Sequence, residues 1–346
     1  MYSYINLEQR VPEAHRLRAI RKMVNQALEQ LSNHFEGLYA RRGRPSIPPE
    51  HLIRALLLQL LYGLRSEAQL MEQLEYNLLF RWFVGLEMDD PIWDATVFTK
   101  NRERLMKGEV SQRLLQAVLE QAQAHNLLSA EHFTVDGTLL EAWANRRSFQ
   151  EKDPETVVGT GSGGSKLLRD THESSTDPES RLYKKSTAAQ AEPSYLGHVM
   201  IENRNGLVVA ACATQSSTTA EREAALEMLK ELKRSPSAVT LGADKQYQDP
   251  TFVGELRKQQ VVPHIAEYES GQNQCKNSLQ PEERESPGFK TSQRKRKLVE
   301  MVFGWGKLSS IMRQMKLRGR NQVDWLFRLL ATANNLVRLV KLIPAQ

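Results

Sequence analysis

Three carboxylates in this 346-residue sequence stand at positions from which they could do chemistry. Asp136 lies inside the alternating segment HFTVDGTLL, and Asp244 comes where the apolar segment VTLGAD stops. Glu300 is the single acid of the basic segment RKRKLVEMVFGWGK, residues 294–307. Three carboxylates that converge on Mg²⁺ would suit two-metal phosphodiester chemistry, in which one ion activates the attacking hydroxyl and the other stabilises the leaving oxygen.

Each of these acids also has a plainer interpretation when it is considered alone. An aspartate at the end of a strand is more often a helix cap or a turn residue than a catalytic group. A charge run on a helix is usually just a solvated surface. Sites in open α/β sheets lie beyond the carboxyl ends of the strands, and this favours Asp136 and Asp244 as ligands over an acid on a helix surface.

The basic segment predicts one helix that carries both signs of charge on one stripe. At about 100° per residue, Arg296, Glu300 and Lys307 fall within about 40° of one another. The carboxylate could bind a divalent metal, while arginine can bind phosphate through a bidentate fork and lysine as a point charge. Phe303 and Trp305 follow on the same helix, and we expect them to pack against the core.

The distribution of charge indicates a polyanionic partner. The formal net charge is +6, and the sequence pI is about 9.2. Residues 291–346 contain twelve Lys or Arg and two acids, so this tail carries +10 and the remaining chain about −4. A basic tail on a slightly acidic body favours nucleic acid over a membrane surface or an acidic protein.

The sequence gives little support to secretion, membrane insertion or zinc binding. The first residues lack the apolar core of a signal peptide. The longest apolar stretch, residues 52–64, is interrupted by Arg54 and Gln59 and is too short to span a bilayer. Cys212 and Cys275 have neither disulfide-framework nor zinc spacing. We therefore expect a cytoplasmic protein with no membrane partner.

The hydrophobic periodicity changes along the chain and predicts two domains. Apolar residues at helical spacing predict an all-helical domain over residues 1–127. Residues 128–346 predict an α/β domain with three early strands, a helix, a strand, a helix, a strand and closing helices. A stretch near 150–194 that is rich in Ser, Thr, Gly, Asp and Glu predicts a flexible loop within it, and the C-terminal end is predicted to be basic and helical.

Individual elements follow from caps and alternation. Pro48 and Pro49 are predicted to open one N-terminal helix, and Ser66 and Asp94 to cap two others. Helices of the α/β domain are predicted at TAEREAALEMLKELKR and TFVGELRKQQ. Its strands are predicted at HFTVDGTLL, YLGHVMIEN, GLVVAACATQ, AVTLGADK and VVPHIA.

Taken in order, these segments resemble the DDE transposases of bacterial insertion sequences, of the insertion-sequence-five type, which have a ribonuclease-H-like catalytic core. The resemblance covers nearly the whole chain, because its pieces occur in the family's order. They are GRPSIPPEHLIRALLLQLLYGLRSEAQLMEQLEYNLLFRWFVGL, EHFTVDGTLLEAWAN, THESSTDPESRLYKK, YLGHVMIENRNGLVV, TAEREAAL, LGADK, RKRKLVEMVFGWGK and NNLVRL. The fold class it implies is α/β, a ribonuclease-H-like mixed-sheet domain preceded by an all-helical N-terminal domain.

The resemblance implies roles for the acids of the α/β domain. Asp136, Asp244 and Glu300 are implied to be the catalytic, metal-binding triad. The cofactor it implies is Mg²⁺, for which Mn²⁺ can substitute, with two ions expected. Further residues are expected to bind DNA, namely Arg296, Lys307, Arg294, Lys297 and Lys245.

The chain departs from the family pattern in three places. The signature around the family's glutamate is Y-x2-R-x3-E-x6-K, and Gln293 stands in the place of its tyrosine. Gln246 follows the second Asp-Lys, where relatives usually have glycine. Asn334 stands in the closing ANNLVR, where relatives usually have tyrosine.

The function implied is that of a bacterial transposase associated with the nucleoid. It would bind the terminal repeats of its element through residues 1–127, hydrolyse the DNA strands there and join the 3′ ends to target DNA. Because two ends must be paired, a homodimer or higher oligomer on DNA is expected. One alternative is a cleavage-deficient DNA-binding protein or repressor derived from an element. A structure-selective nuclease on the same core is disfavoured by the match in the N-terminal region.

Overall fold

The computed structural model describes residues 6–38, 46–151, 172–184, 190–232, 239–269, 277–308 and 311–343. The chain forms two compact units. One comprises residues 1–127 together with Gly306–Ile311 and the chain from Arg328 onward, and the other comprises Leu128–Trp305 and Met312–Phe327. The predicted boundary after residue 127 coincides with this division, whereas the C-terminal part of the predicted second domain is divided between the units.

The first unit is helical. Proline and glycine set the ends of α4, which begins at Pro49 and ends before Gly63 in a left-handed conformation (φ 63°). The side chain of Ser66 caps α5 and that of Asp94 caps α7, as predicted. Its N-terminal helices are α1 (Leu7–Arg10), α2 (Arg16–Gln30), α3 (Ser32–Leu38), α4 (Pro49–Tyr62), α5 (Glu67–Tyr76), α6 (Leu78–Val84), α7 (Ala95–Lys107) and α8 (Val110–Ala124).

A short helix that the periodicity did not predict, α6, lies at the centre of this unit. Its side chains Phe80, Trp82 and Phe83 are buried, and so is Arg81. The guanidinium of Arg81 donates hydrogen bonds to main-chain carbonyls on both sides of the helix, including that of Leu74 at 3.1 Å. A charged side chain can be buried here because its donors meet carbonyl oxygens instead of water.

The second unit is built on a mixed sheet. Its main sheet has the order β4–β5–β1–β7–β8, and β6 also pairs with β5. The pairs β1–β5, β4–β5 and β5–β6 are antiparallel, while β1–β7 and β7–β8 are parallel. The strands of this unit are β1 (His132–Glu141), β2 (Phe149–Glu151), β3 (His172–Ser174), β4 (Arg181–Tyr183), β5 (Glu192–Glu202), β6 (Val208–Gln215), β7 (Val239–Ala243) and β8 (Val261–Ile265).

Helices cross over the sheet where strands run parallel, because parallel neighbours cannot be joined by a tight turn. Helix α9 (Ala220–Glu231) leads into β7, and α10 (Pro250–Lys258) joins β7 to β8. Both pack their apolar faces on the sheet. The core between helices and sheet includes Phe133, Val135, Met200, Ala225, Leu229, Leu241, Tyr247, Phe252 and Leu256.

These elements confirm the predicted α/β class, with a mixed-sheet region preceded by an all-helical region. All five predicted strands are present, and so are the two predicted crossover helices. The predicted loop near 150–194 is wrong in part, because β3, β4 and the beginning of β5 lie within it. Residues 152–171 and 185–189 of that loop lie outside the described residues.

The basic segment is not one helix, contrary to prediction. Helix α12 (Pro287–Lys295) ends at Arg296, and α13 (Leu298–Leu308) begins two residues later. At the start of α13 the amide of Glu300 donates a hydrogen bond to the carbonyl of Lys297. This is an i to i−3 bond in place of the α-helical i to i−4 bond. The predicted stripe on one helix is therefore wrong for Arg296, whereas Glu300 and Lys307 do share α13. Phe303 is buried, as expected.

The remaining described helices are α11 (Pro281–Glu285), which precedes α12, and the 23-residue α14 (Arg320–Leu342). Helix α14 is amphipathic, and its apolar residues Leu329, Leu330, Ala333 and Leu336 are buried. None of the described helices combines the length and the apolar character needed to cross a membrane.

Candidate active site

The register of two parallel strands brings Asp136 and Asp244 together. The last paired residues of β1 and β7 are Thr134 and Gly242, and each aspartate comes two residues later. The main chain at Asp244 is still extended (φ −79°, ψ 175°). Since side chains two residues apart point to the same face of an extended chain, both carboxylates lie on the same side of neighbouring strands.

Asp136 is half-buried in the middle of β1. Its Oδ1 accepts a hydrogen bond from the amide of Gly137 at 2.8 Å. Burial raises the pKa of Asp136 to about 6, and the negative charges of Asp244 and Glu300 act in the same direction. The amide of Gly137 and the positive charge of Arg296 oppose that rise in pKa. The charges of both other acids of the predicted triad therefore influence the pKa of Asp136.

Asp244 follows a strand whose five residues are all buried. Burial raises its pKa, while the amide of Gln246 and the charges of Arg296 and Lys245 work against that rise. The amide of Gln246 donates to Oδ1 of Asp244 at 2.8 Å, so the carboxylate caps the 3₁₀ turn Lys245–Tyr247. The side chain of Gln246 itself is exposed. The departure from glycine at this position thus puts no side chain between Asp244 and the sheet.

Glu300 is exposed in the first turn of α13. Arg296 lies in the turn just before that helix and is half-buried. Its Nε atom is buried and has no hydrogen-bond partner among the described residues. A buried guanidinium N–H without an acceptor is uncommon, because such a group loses its hydration without compensation. The structure thus leaves one donor of Arg296 without an acceptor, on a side chain whose positive charge acts on both Asp136 and Asp244.

The other residues predicted to bind DNA are spread more widely. Arg294 and Lys297 are exposed near the turn between α12 and α13. Lys245 is exposed next to Asp244, with its Nζ atom 5.6 Å from the centre of the Tyr268 ring. Lys307 is half-buried near the end of α13 and is grouped with the first unit, unlike the others.

Gln293 connects α12 to the ends of two strands. Its Nε2 atom lies 2.5 Å from the carbonyl oxygen of His264 in β8 and 3.5 Å from that of Ala243 in β7. Ala243 is the residue before Asp244. The residue in the place of the family's tyrosine therefore contacts the main chain that carries the second aspartate.

A fourth carboxylate, that of Glu221, was missed by the sequence predictions. It is half-buried in the first turn of α9. Burial raises the pKa of Glu221 to about 7, and the charges of Asp244 and Asp136 raise it further, whereas Arg222 opposes them. The segment TAEREAAL contributes to the family resemblance and to a predicted helix, and neither of these marks Glu221 as a site residue. No local pattern distinguishes this glutamate from Glu223, which is exposed in the same turn.

Together these groups form an acidic cluster bordered by positive charge. Among the described residues, no three Asp, Glu, His or Cys side chains stand close enough together to hold a metal ion as they are placed. Mutual repulsion of like charges opposes a closer approach. The carboxylates nevertheless supply the hard oxygen donors that Mg²⁺ and Mn²⁺ prefer.

Comparison with known proteins identifies both parts of the chain. Residues 5–104 match the family described as Transposase domain (DUF772). Residues 131–336 match the family described as Transposase DDE domain. No curated protein matches the chain.

Solved transposase structures show only a distant likeness. A piggyBac transposase synaptic complex with hairpin DNA is 10% identical with a TM-score of 0.41, covering 93% of this chain and 73% of that one. A Mos1 transposase paired-end complex with left transposon end is 12% identical with a TM-score of 0.21, covering 82% of this chain and 86% of that one. The match to the DDE domain takes in more than half of the chain and includes Asp136, Asp244 and Glu300. The chain belongs to the transposases with a DDE domain.

Proposed function

We propose that this transposase binds the DNA ends of an insertion element, hydrolyses the strands there and joins the freed 3′ ends to target DNA. The observation that carries the proposal is the strand register that places Asp136 and Asp244 side by side on one face of the sheet. Glu300 and Arg296 lie within electrostatic range of Asp136. Family membership and this arrangement support the same three acids as the catalytic triad.

The residues fit a divalent cation by the chemistry of their donors. Asp136, Asp244 and Glu300 would hold Mg²⁺, or Mn²⁺ in its place, with two ions expected. When bound, such ions activate an attacking hydroxyl and stabilise the leaving oxygen. The carboxylates of this chain need no nucleophilic role of their own.

The strand chemistry has two steps that balance without a covalent enzyme intermediate. In the first, a water oxygen forms a bond to a backbone phosphorus, and the bond from that phosphorus to the 3′ oxygen breaks, which leaves a 3′ hydroxyl and a 5′ phosphate. In the second, that 3′ hydroxyl attacks a phosphorus of the target strand and displaces the target's own 3′ oxygen. Both steps concentrate negative charge on a phosphate.

Basic residues near the acids would hold the phosphates. The unpartnered Nε of Arg296 supplies a donor next to Asp136 and Asp244, and Arg294, Lys297, Lys245 and Lys307 would add positive charge along the strand. Residues 1–127 would recognise the terminal repeats. Because two ends must be held at once, we propose a homodimer or higher oligomer on DNA.

The alternative is a DNA-binding protein that represses without cutting. The alternative draws support from Gln246 and Asn334, two residues that depart from the family pattern. The first departure gives this alternative little weight, because Gln246 contributes its main-chain amide to Asp244 and its side chain is exposed.

The test is strand cleavage and joining by the purified protein on the element's own end DNA with Mg²⁺ or Mn²⁺. Asp136→Asn, Asp244→Asn and Glu300→Gln should each lower the cleavage rate by about 10²-fold or more. The exposed Glu285→Gln is the matched control and should retain activity. End binding by the wild type without cleavage would favour the repressor. Full cleavage by any of the three variants would remove that residue from the triad.

A further inference from the structure

The chain that leads into α14 carries positive charge without acids. Residues 313–320, RQMKLRGR, contain four Lys or Arg and no Asp or Glu, and we call this segment of the second unit the basic rim. The side chains of Lys316 and Arg318 are exposed, whereas those of Met315 and Leu317 are buried. This period of two is that of an extended chain, so the apolar side chains hold the segment in place and the cations face water.

The basic rim lies along the same edge of β1 as the strand that leads to the second aspartate. Glu141, the last residue of β1, pairs with β5 on one edge of the strand. Its carbonyl accepts a hydrogen bond from the amide of Met315 at 3.2 Å, and Gln314 lies beside it in a parallel bridge. Because a strand has two edges, the basic rim occupies the edge on which β7 also pairs. Asp244 follows β7, and Asp136 lies on β1 between these two contacts.

Two carboxylates fix the other end of the basic rim. Oδ1 of Asp177 accepts a hydrogen bond from the amide of Gly319 at 3.1 Å, and Oε2 of Glu179 accepts one from the amide of Arg320 at 2.8 Å. Asp177 is itself buried and held by a tyrosine hydroxyl. Both acids belong to THESSTDPESR, a segment to which the sequence predictions give no role. With its main chain held at both ends, the basic rim presents its side chains from a fixed position.

An aromatic side chain also holds Lys316. The Nζ atom of Lys316 lies 5.7 Å from the centre of the Trp143 ring. Trp143 is 38% exposed, and a cation over an exposed indole gains about 0.5–1 kcal/mol. Among the described residues, none of Arg313, Lys316 and Arg318 forms an ion pair. Their positive charges are therefore not neutralised by acids of the part of the chain that the structure describes.

The spacing of these cations fits a nucleic acid strand. Alternate residues of an extended chain stand about 7 Å apart, and each cation can neutralise one phosphate. Glu141 is exposed and would repel a phosphate at its own end of the rim, which leaves Lys316 and Arg318 as the phosphate sites. The five residues from Asp136 to Glu141 span about 17 Å. This length corresponds to roughly five nucleotides of one DNA strand.

We propose that the basic rim binds phosphates of the DNA that flanks the cleaved position, through Lys316 and Arg318, and that Trp143 positions Lys316. This inference rests on the proposed function, because it concerns the DNA which that function cleaves. Residues 1–127 are proposed to hold the terminal repeat, so DNA that continues from the acids along the edge of β1 is assigned to the flank. Such contacts add affinity at any flanking sequence, because phosphates carry no sequence information.

Binding of end DNA in the presence of a chelator tests the inference apart from cleavage. Fluorescence anisotropy at several salt concentrations uses end DNA with about 15 flanking base pairs. Lys316→Gln combined with Arg318→Gln should bind this DNA about tenfold more weakly and reduce the slope of log affinity against log salt by about 2. The matched control, Lys230→Gln combined with Lys258→Gln, also removes two exposed positive charges and should bind as the wild type does.

The length of the flank separates a contact at the basic rim from a general loss of charge. A flank of about two base pairs is too short to reach the rim, so the wild type and the double variant should bind this DNA equally. Unchanged affinity on the long flank, or an equal loss on both DNAs, would overturn the inference. Urea unfolding checks that the double variant is folded, and the two single variants should each show about half of the change in slope.

A double-mutant cycle tests the positioning role of Trp143. Trp143→Ala should weaken binding to the long flank in the wild-type background, because Lys316 loses its aromatic support. In the Lys316→Gln background the same substitution should leave the affinity unchanged. Equal losses in the two backgrounds would show that Trp143 does not act through Lys316.

The outcomes also distinguish this inference from the proposed function. A wild type that fails to bind end DNA would overturn both. Wild-type binding of the long flank by the double variant, together with loss of cleavage in Asp136→Asn, would overturn the role of the basic rim and leave the proposed function intact. A loss that depends on the flank in the double variant, and is absent in the control, would support the inference.

Discussion

The side-chain amide of Gln293 donates to the carbonyl of His264, 2.5 Å away, and so fastens the helix before the Arg296 turn to the end of β8. Ala243, next to Asp244, offers a second and longer contact at 3.5 Å. One glutamine thus connects the two chain segments that carry Asp244 and Arg296. The family signature has a tyrosine at this position. In this chain the side-chain amide of Gln293 contacts main-chain carbonyl oxygens instead.

Loss of this connection should disturb the site more than the fold. Gln293→Ala removes one good hydrogen bond and one weak one, so we expect a loss of about 1 kcal/mol in unfolding free energy. Because Arg296 and Asp244 would no longer be held together, we expect a larger effect on the cleavage rate, about tenfold or more. Urea unfolding and single-turnover cleavage measure the two effects.

The exposed Gln112→Ala on α8 serves as a control for Gln293→Ala and should change neither quantity. A Gln293→Ala variant that loses stability but cleaves at the wild-type rate would show that the connection is structural only.

Arg296 should contribute to DNA affinity through one phosphate. Arg296→Ala should weaken end binding at all sequences and reduce the slope of log affinity against log salt by about 1. Arg296→Lys should restore part of the affinity, since lysine keeps the charge but loses the guanidinium fork. Fluorescence anisotropy at several salt concentrations provides the measurement, with the exposed Lys258→Ala as control. An unchanged salt slope in Arg296→Ala would argue against a phosphate contact.

The acidic cluster should make the metal-free protein less stable as the pH rises. The pKa of Asp136 is raised by burial from 3.8 to about 6, so the folded chain binds this proton more tightly than the unfolded chain. Its contribution to stability is complete below the unfolded pKa and is lost as the pH rises through the folded one. The free energy of unfolding of Asp136→Asn relative to the wild type should therefore increase from pH 3.8 to about 6.

Two histidines change the unfolding free energy with pH in the opposite direction to Asp136. The difference between Asp136→Asn and the wild type removes their contribution. Burial lowers the pKa of His198 and of His264 to about 4, and each contributes stability that is lost as the pH falls. Both remain in Asp136→Asn, so their contributions cancel in the difference. Urea unfolding with a chelator present gives the free energies, and a difference that stays constant over this pH range would contradict the prediction.

Substitution by alanine at two glycines of the second unit should change the unfolding free energy in opposite directions. A Cβ on Gly197 in β5 would lie 2.8 Å from Cζ of Phe327 and 2.9 Å from Cδ1 of Leu140. Gly197→Ala should therefore lower the unfolding free energy by about 1–3 kcal/mol. Gly254, inside α10, has nothing within 4 Å of its Cβ position, so Gly254→Ala should raise it by about 0.5–1 kcal/mol. Thermal or urea unfolding compares them, and equal effects would contradict the packing at Gly197.

Sequence periodicity was sufficient for the elements with long regular patterns. Alternation predicted β1 and β5, and caps at Ser66 and Asp94 predicted helix starts, because these signals are local. The three-residue strands β2 to β4 escaped prediction, since so short a segment has no measurable period. The break at Arg296 escaped for a related reason: no proline or glycine marks it in the sequence.

The site was predictable only in part. Asp136, Asp244 and Glu300 could be selected from strand ends and from the family resemblance, and their catalytic role remains a prediction. Glu221 could not be selected, because its position depends on how α9 packs over Gly137, more than eighty residues earlier in the chain. Gln293 was noticed only as a departure, and its contacts with β7 and β8 are visible only in the fold.

The helical unit is assembled from segments far apart in the chain, and this has a consequence for its synthesis on the ribosome. This unit includes residues 1–127 and also the chain from Arg328 onward. Most of its helices leave the ribosome early, but it lacks part of its structure until nearly the entire chain has been made. Contacts of such wide sequence separation form slowly, because a long loop must close first. The second unit also needs residues up to Phe327, so neither unit is complete until late in synthesis, and a product that stops before Arg328 would carry an unfinished helical unit.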